Sequence, residues 1–171
     1  MKISKKVSCC AMLVALAMIF SYVESLVPIN FGIPGVKLGI ANLVTVFGIY
    51  FLNPGEVFLI VFLRILLTGF MFGNGMSILY SLAGGMLSLA VMLAAKKAGG
   101  FSVIGVSIAG GITHNIGQIL VAACVVQNLK LVYYLPVLLI AGTITGCLIG
   151  MLGGRILNVI KAQASEMIYH V

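Results

Sequence analysis

Gly110, His114 and Gln118 recur at a spacing of four residues, which on a helix puts them on one face with Asn115 on its shoulder. A set of uncharged hydrogen-bonding groups in an otherwise apolar run suits a small ligand better than an ion pathway. The bland alternative is that His114, Asn115 and Gln118 bond only to neighbouring helices. Glu24 and Arg64 stand in equally apolar surroundings, where an ionisable side chain is costly and is a functional candidate by default. For Arg64 two partners compete. One is Glu24, offset by about 12 Å in depth at 1.5 Å of rise per residue; the other is an anionic group on a ligand.

Other chemistries find no residues. His, Cys and Glu never fall at metal-ligand spacing, so no metal site is expected. A Ser-His-Asp set is ruled out because the chain has no Asp, and no Gly-rich loop between strand and helix offers a phosphate cradle. The expectation is a protein that catalyses nothing itself and needs no cofactor. Cys9, Cys10, Cys124 and Cys147 have neither zinc spacing nor the setting of a secreted disulfide scaffold, and are read as reduced packing residues.

The elements that must hold these groups are membrane helices. Hydrophobic residues make up 62% of the chain and charged residues 8%, against about 25% charged in an ordinary soluble domain. Apolar runs at about 7–27, 38–52, 56–73, 76–95, 103–126 and 132–154 predict one all-α membrane domain of six spans, followed by a short tail at 155–171. Pro28, Gly32 to Gly35, Asn53-Pro54-Gly55, Gly73-Asn74-Gly75 and Gly99-Gly100 punctuate them. The second run is short, which predicts a broken or tilted element packed against protein. Lys2, Lys5 and Lys6 before the first run resemble a signal peptide's basic region, but that run is long enough to span and is read as an uncleaved helix.

Six spans sort the basic residues. Lys2, Lys5, Lys6, Lys96, Lys97, Arg155 and Lys161 fall on one side, Lys37 and Lys130 on the other, and Arg64 inside. The bias of Lys and Arg toward the cytoplasm then predicts a multi-pass protein with both termini cytoplasmic. The net charge of +7 reads as topology and lipid headgroup contact, with no nucleic-acid partner. In this arrangement Glu24, Asn42, Tyr80, Ser81 and Gln118 share the outer half, with Arg64 and His114 near mid-membrane. Gly142, Gly146, Gly150 and Gly154 form a stripe whose plain reading is packing within the chain. Ala11 and Ala15, with Ala17 beside them, form a weaker one.

The stretches Pro34 to Asn42, Tyr80 to Gly85 and Gly105 to Gln118, the last containing His114-Asn115-Ile116-Gly117-Gln118, carry a resemblance. The chain resembles a bacterial membrane family called heptaprenyl diphosphate synthase component I, also labelled the Gx transporter family, over roughly residues 8–160. That family is similar to the substrate-binding S components of energy-coupling factor transporters. The similarity implies a six-helix bundle in the bacterial cytoplasmic membrane with an outer ligand pocket, here lined by Glu24, Lys37, Asn42, Arg64, Tyr80, His114, Asn115 and Gln118. It also implies an AxxxA face on the first helix, matched by Ala11 and Ala15, that docks a membrane coupling subunit served by ATP-binding subunits. A vitamin, a flavin-like compound or an isoprenoid or quinone precursor would each fit as the small-molecule ligand, and the chain lacks the Trp common in vitamin pockets. The family name implies an alternative, a non-catalytic membrane accessory of a soluble prenyl synthase. Without Asp, the chain has no aspartate-rich motif for magnesium diphosphate.

Overall fold

The computed structural model describes residues 3–26 and 39–169, and among these there is no strand. Six α-helices follow one another: α1 (Ile3–Leu26), α2 (Asn42–Phe51), α3 (Pro54–Phe72), α4 (Gly75–Ala98), α5 (Val103–Val126) and α6 (Leu135–Tyr169), the last preceded by a 3-10 turn at Leu129–Tyr134. All but α2 are long and apolar enough to cross a membrane. Large apolar side chains such as Phe70, Leu79, Leu120 and Ile140 cover the outside of the bundle. Lipid solvates such a surface and water does not, and the chain is a multi-pass helical membrane protein.

Local chemistry fixes the starts. Pro54 opens α3 where a missing N–H costs nothing, and Glu56 Oε2 accepts from Asn53 N at 3.1 Å. Asn74 Oδ1 accepts from Ser77 N at 2.8 Å to cap α4, and Ser102 Oγ accepts from Gly105 N at 3.2 Å to cap α5. Gly99 ends α4 in the left-handed region at φ 73°, after Lys96 and Lys97 in its last turn.

Two contacts set the directions. Lys6 Nζ meets Glu56 Oε1 at 3.2 Å, so the N-terminal ends of α1 and α3 lie together. At their other ends the rings of Tyr22 and Phe72 approach to 4.9 Å between centroids. With α1 and α3 parallel, the chain must return across the bundle between Leu26 and Pro54. The end of that return is α2, where Ile49 O accepts from Lys96 Nζ at the foot of α4. One end of the bundle thus gathers Lys5, Lys6, Lys96, Lys97, Arg155 and Lys161, and the other carries Lys130.

Two elements differ from expectation. The second span, expected over 38–52, is helical only from Asn42 to Phe51; its 10 residues reach about 15 Å. Gly39 just ahead of it sits at φ +80°, a conformation that interrupts helix. Val44, Thr45, Val46, Gly48 and Ile49 of α2 are buried, so it packs against protein as its shortness suggested. The last helix does not stop at 154. No Pro or Gly follows Gly154, and α6 runs on for 35 residues in all, about 52 Å, well beyond a hydrocarbon core of about 30 Å.

Packing separates the bundle into two halves. Toward the basic end Ile49, Val61, Leu89, Met92, Val106 and Ile149 form an apolar core. Toward the other end buried polar side chains, Glu24, Arg64, Thr68, His114 and Gln118, join apolar ones such as Ile119 and Leu138.

Candidate functional site

Four helices each present a polar pair at helical spacing: Ser21 and Glu24 from α1, Arg64 and Thr68 from α3, Ser77 and Ser81 from α4, His114 and Gln118 from α5. With Gly39 and Asn42 at the entry to α2 they line one cavity of about 40 Å³. That volume holds about two or three water molecules. It is far from the roughly 300 Å³ or more of a site enclosing a whole drug-sized ligand.

The polar walls are deeply set. Glu24 is 7% exposed, Arg64 8%, Thr68 5%, His114 8% and Gln118 6%. Glu24 accepts from the backbone N–H of Gly39, which ties the end of α1 to the approach to α2. Its negative charge also bears on the Arg64 guanidinium. The depth offset expected between these two residues does not keep them on separate sites. Arg64 Nε, Thr68 Oγ1 and both amide atoms of Gln118 have no hydrogen-bond partner among the described residues. A buried polar atom left so costs about 1–3 kcal/mol. Several converging on one void is an expensive arrangement unless something polar occupies it.

Close helix approach brings the walls together. A Cβ on Gly84 would lie 2.6 Å from the His114 carbonyl oxygen and 2.8 Å from Gln118 Cγ. Glycine at 84 therefore lets α4 reach the His114 and Gln118 face at backbone distance.

The remaining expected residues divide. Asn115 lines a smaller void of about 10 Å³ beside the cavity, shared with Gly39, Asn42 and His114. Its Nδ2 donates to Leu138 O at 2.7 Å, so Asn115 serves as an interhelical bond between α5 and α6. Tyr80 lines neither void, while Ser77 and Ser81 on the adjacent face line the larger one. Lys37 lies outside the described residues. Ser21, Thr68 and Ser77 give no signal in the sequence beyond standing three or four residues from a polar partner.

A second concavity lies on the outside of the bundle. Between α1 and α3, Cys10, Ala11, Val14, Ala15, Leu59 and Leu63 line an apolar groove of about 580 Å³, closed at the basic end by Lys6 and Glu56. Ala11 and Ala15 are exposed along it, whereas Ala17 is fully buried. Among the described residues no group of His, Cys, Asp and Glu is disposed to hold a metal ion.

The model of the family described as heptaprenyl diphosphate synthase component I matches residues 13–156. No curated protein and no solved structure matches the chain.

Proposed function

The chain belongs to the heptaprenyl diphosphate synthase component I family, and from that premise we propose that it is the solute-binding membrane subunit of an ATP-driven transporter. The observation that carries this reading is the convergence of Arg64, Thr68 and Gln118, each at least nine-tenths buried with polar atoms unpartnered among the described residues, on one cavity inside an apolar bundle. Polarity of that kind is retained where a ligand replaces water. Glu24, Asn42 and His114 complete the wall, and the cavity takes a small solute or the polar end of a larger one.

The basic end faces the cytoplasm, by the bias of Lys and Arg toward that side, and the cavity opens outward. A reporter fused after Lys97 is then cytoplasmic and one fused within 127–130 external; finding both on one side removes this orientation. The exposed Ala11 and Ala15 receive a coupling membrane subunit, since small residues permit approach at backbone distance. ATP-binding subunits supply the energy this chain has no motif to supply.

The family's description favours a second reading, a non-catalytic membrane accessory of a soluble prenyl synthase. Copurification in mild detergent separates the two: ATP-binding subunits support transport, a prenyl synthase supports the accessory role. The cavity itself is tested by His114→Leu and Gln118→Leu. Each is expected to abolish retention of small molecules detected by mass spectrometry while the protein stays monodisperse in detergent. Unchanged retention in both would remove the cavity from the binding role.

A further inference from the structure

We infer that the cavity selects a net-neutral polar group carrying a donor and an acceptor side by side, an amide-type edge, and that it rejects diphosphate. The inference rests on the capture reading above and names the chemical class captured.

Charge is the first argument. Among the described residues the cavity wall contains one buried cation, Arg64, and one buried anion, Glu24, exposed to 8% and 7% respectively. These walls are balanced before anything enters. A diphosphate brought between them would add several negative charges in a low-dielectric interior where Arg64 is already offset, at a desolvation cost that none of the described wall residues repays. Lys130, the described basic residue at this end of the bundle, is exposed and lines neither void. A prenyl diphosphate, the compound suggested by the family's description, is therefore a poor occupant of this site.

Hydrogen-bond pattern is the second argument. Both Nε2 and Oε1 of Gln118 lack a partner among the described residues, so the side chain offers an adjacent donor and acceptor. A ligand edge with an acceptor beside a donor satisfies both atoms at once, and does so whichever way the amide is turned. Thr68 Oγ1 and Arg64 Nε remain for a further acceptor on the same group. Carboxamides, lactams and cyclic imides have such an edge without net charge, whereas phosphates at neutral pH bring negative charge with any O–H they retain.

The test uses the full chain in detergent, with acetamide as the neutral probe and inorganic pyrophosphate as the anionic one. Acetamide is expected to raise the melting temperature in a concentration-dependent way, as any ligand of the folded state does. The rise should vanish in Gln118→Leu, and Thr68→Val, which removes a wall group of nearly the same shape, should reduce it if the first variant fails to fold. Pyrophosphate should give no rise. A pyrophosphate-induced rise that Arg64→Gln abolishes overturns the assigned class while leaving capture standing. An acetamide effect unchanged in both variants overturns it too, because the effect would lie elsewhere. Silence of both probes in a protein that retains a small molecule on purification overturns the amide-edge assignment alone. If the protein retains nothing, silence removes the capture reading and this inference with it.

Discussion

The seam between α5 and α6 and the seam between α1 and α3 are both lined by small residues four apart, yet the first is closed and the second open. At the closed seam a Cβ on Gly146 would lie 2.7 Å from Ile108 Cα, and one on Gly150 2.7 Å from Ile104 Cα. A Cβ on Gly142 would likewise lie 2.8 Å from the Gly111 carbonyl oxygen. Backbone meets backbone there, as the plain reading of the glycine stripe expected for these three residues. At the open seam Ala11 and Ala15 face a groove of about 580 Å³. The small-residue pattern permits close approach but does not say whether the approaching helix belongs to the same chain.

Substitutions on the two seams sharpen or break that contrast. The largest effect is expected for Gly146→Leu, which forces a side chain against backbone that cannot move aside. Overpacking costs about 1–3 kcal/mol and occasionally more, and with backbone as the obstacle the variant should aggregate or lose its cooperative melting transition in detergent. A normal melt would mean that α6 slides on α5 without penalty. Next comes the double variant Ala11→Leu and Ala15→Leu, which is expected to fold with stability within about 0.5 kcal/mol of the parent and keep its bound solute, but to lose copurifying coupling subunit. Full partner stoichiometry would remove the docking role, and loss of folding would make the groove part of the internal packing. The smallest effect is expected for Gly154→Leu. This glycine continues the α6 stripe by one step, but nothing lies within 4 Å of a Cβ built there. Its melting temperature should stay close to the parent's, corresponding to about 0.5 kcal/mol or less. A drop as large as that of Gly146→Leu would show that the stripe acts through helix flexibility rather than contact.

The spans of α3, α4 and α5 were legible because their ends carry local chemistry. Asn53-Pro54, Asn74-Gly75 and Ser102 cap the starts, and Gly99 supplies a left-handed end. The far end of α6 was not legible. After Gly154 polar residues such as Arg155, Asn158, Lys161 and Gln163 break the apolar run without any residue that stops a helix, and hydropathy measures membrane depth rather than helicity. The candidate site was half legible. Single residues of unusual cost, Glu24, Arg64, His114 and Gln118, stand out from an apolar sequence, whereas Ser21, Thr68 and Ser77 do not, because a hydroxyl inside a membrane helix can bond to its own backbone. Thr113, Thr143 and Thr145 do bond in that way. Asn115 resembles its neighbours His114 and Gln118 in type, but one residue turns the side chain about 100° around α5, onto Leu138 O.

The sequence by itself determined the solvent this protein folds in, the sorting of its basic residues to one end and the groups too costly to bury without reason. These follow from composition and from periodicity along one helix at a time. Only the tertiary structure decided that four polar pairs face one another across a cavity of about 40 Å³, and that one small-residue stripe is covered while the other is bare. Helix rotation and neighbour choice are set by backbone contacts such as Gly84 against the His114 carbonyl and Gly146 against Ile108. Those contacts join residues far apart in the chain, and no local pattern encodes which face will meet which.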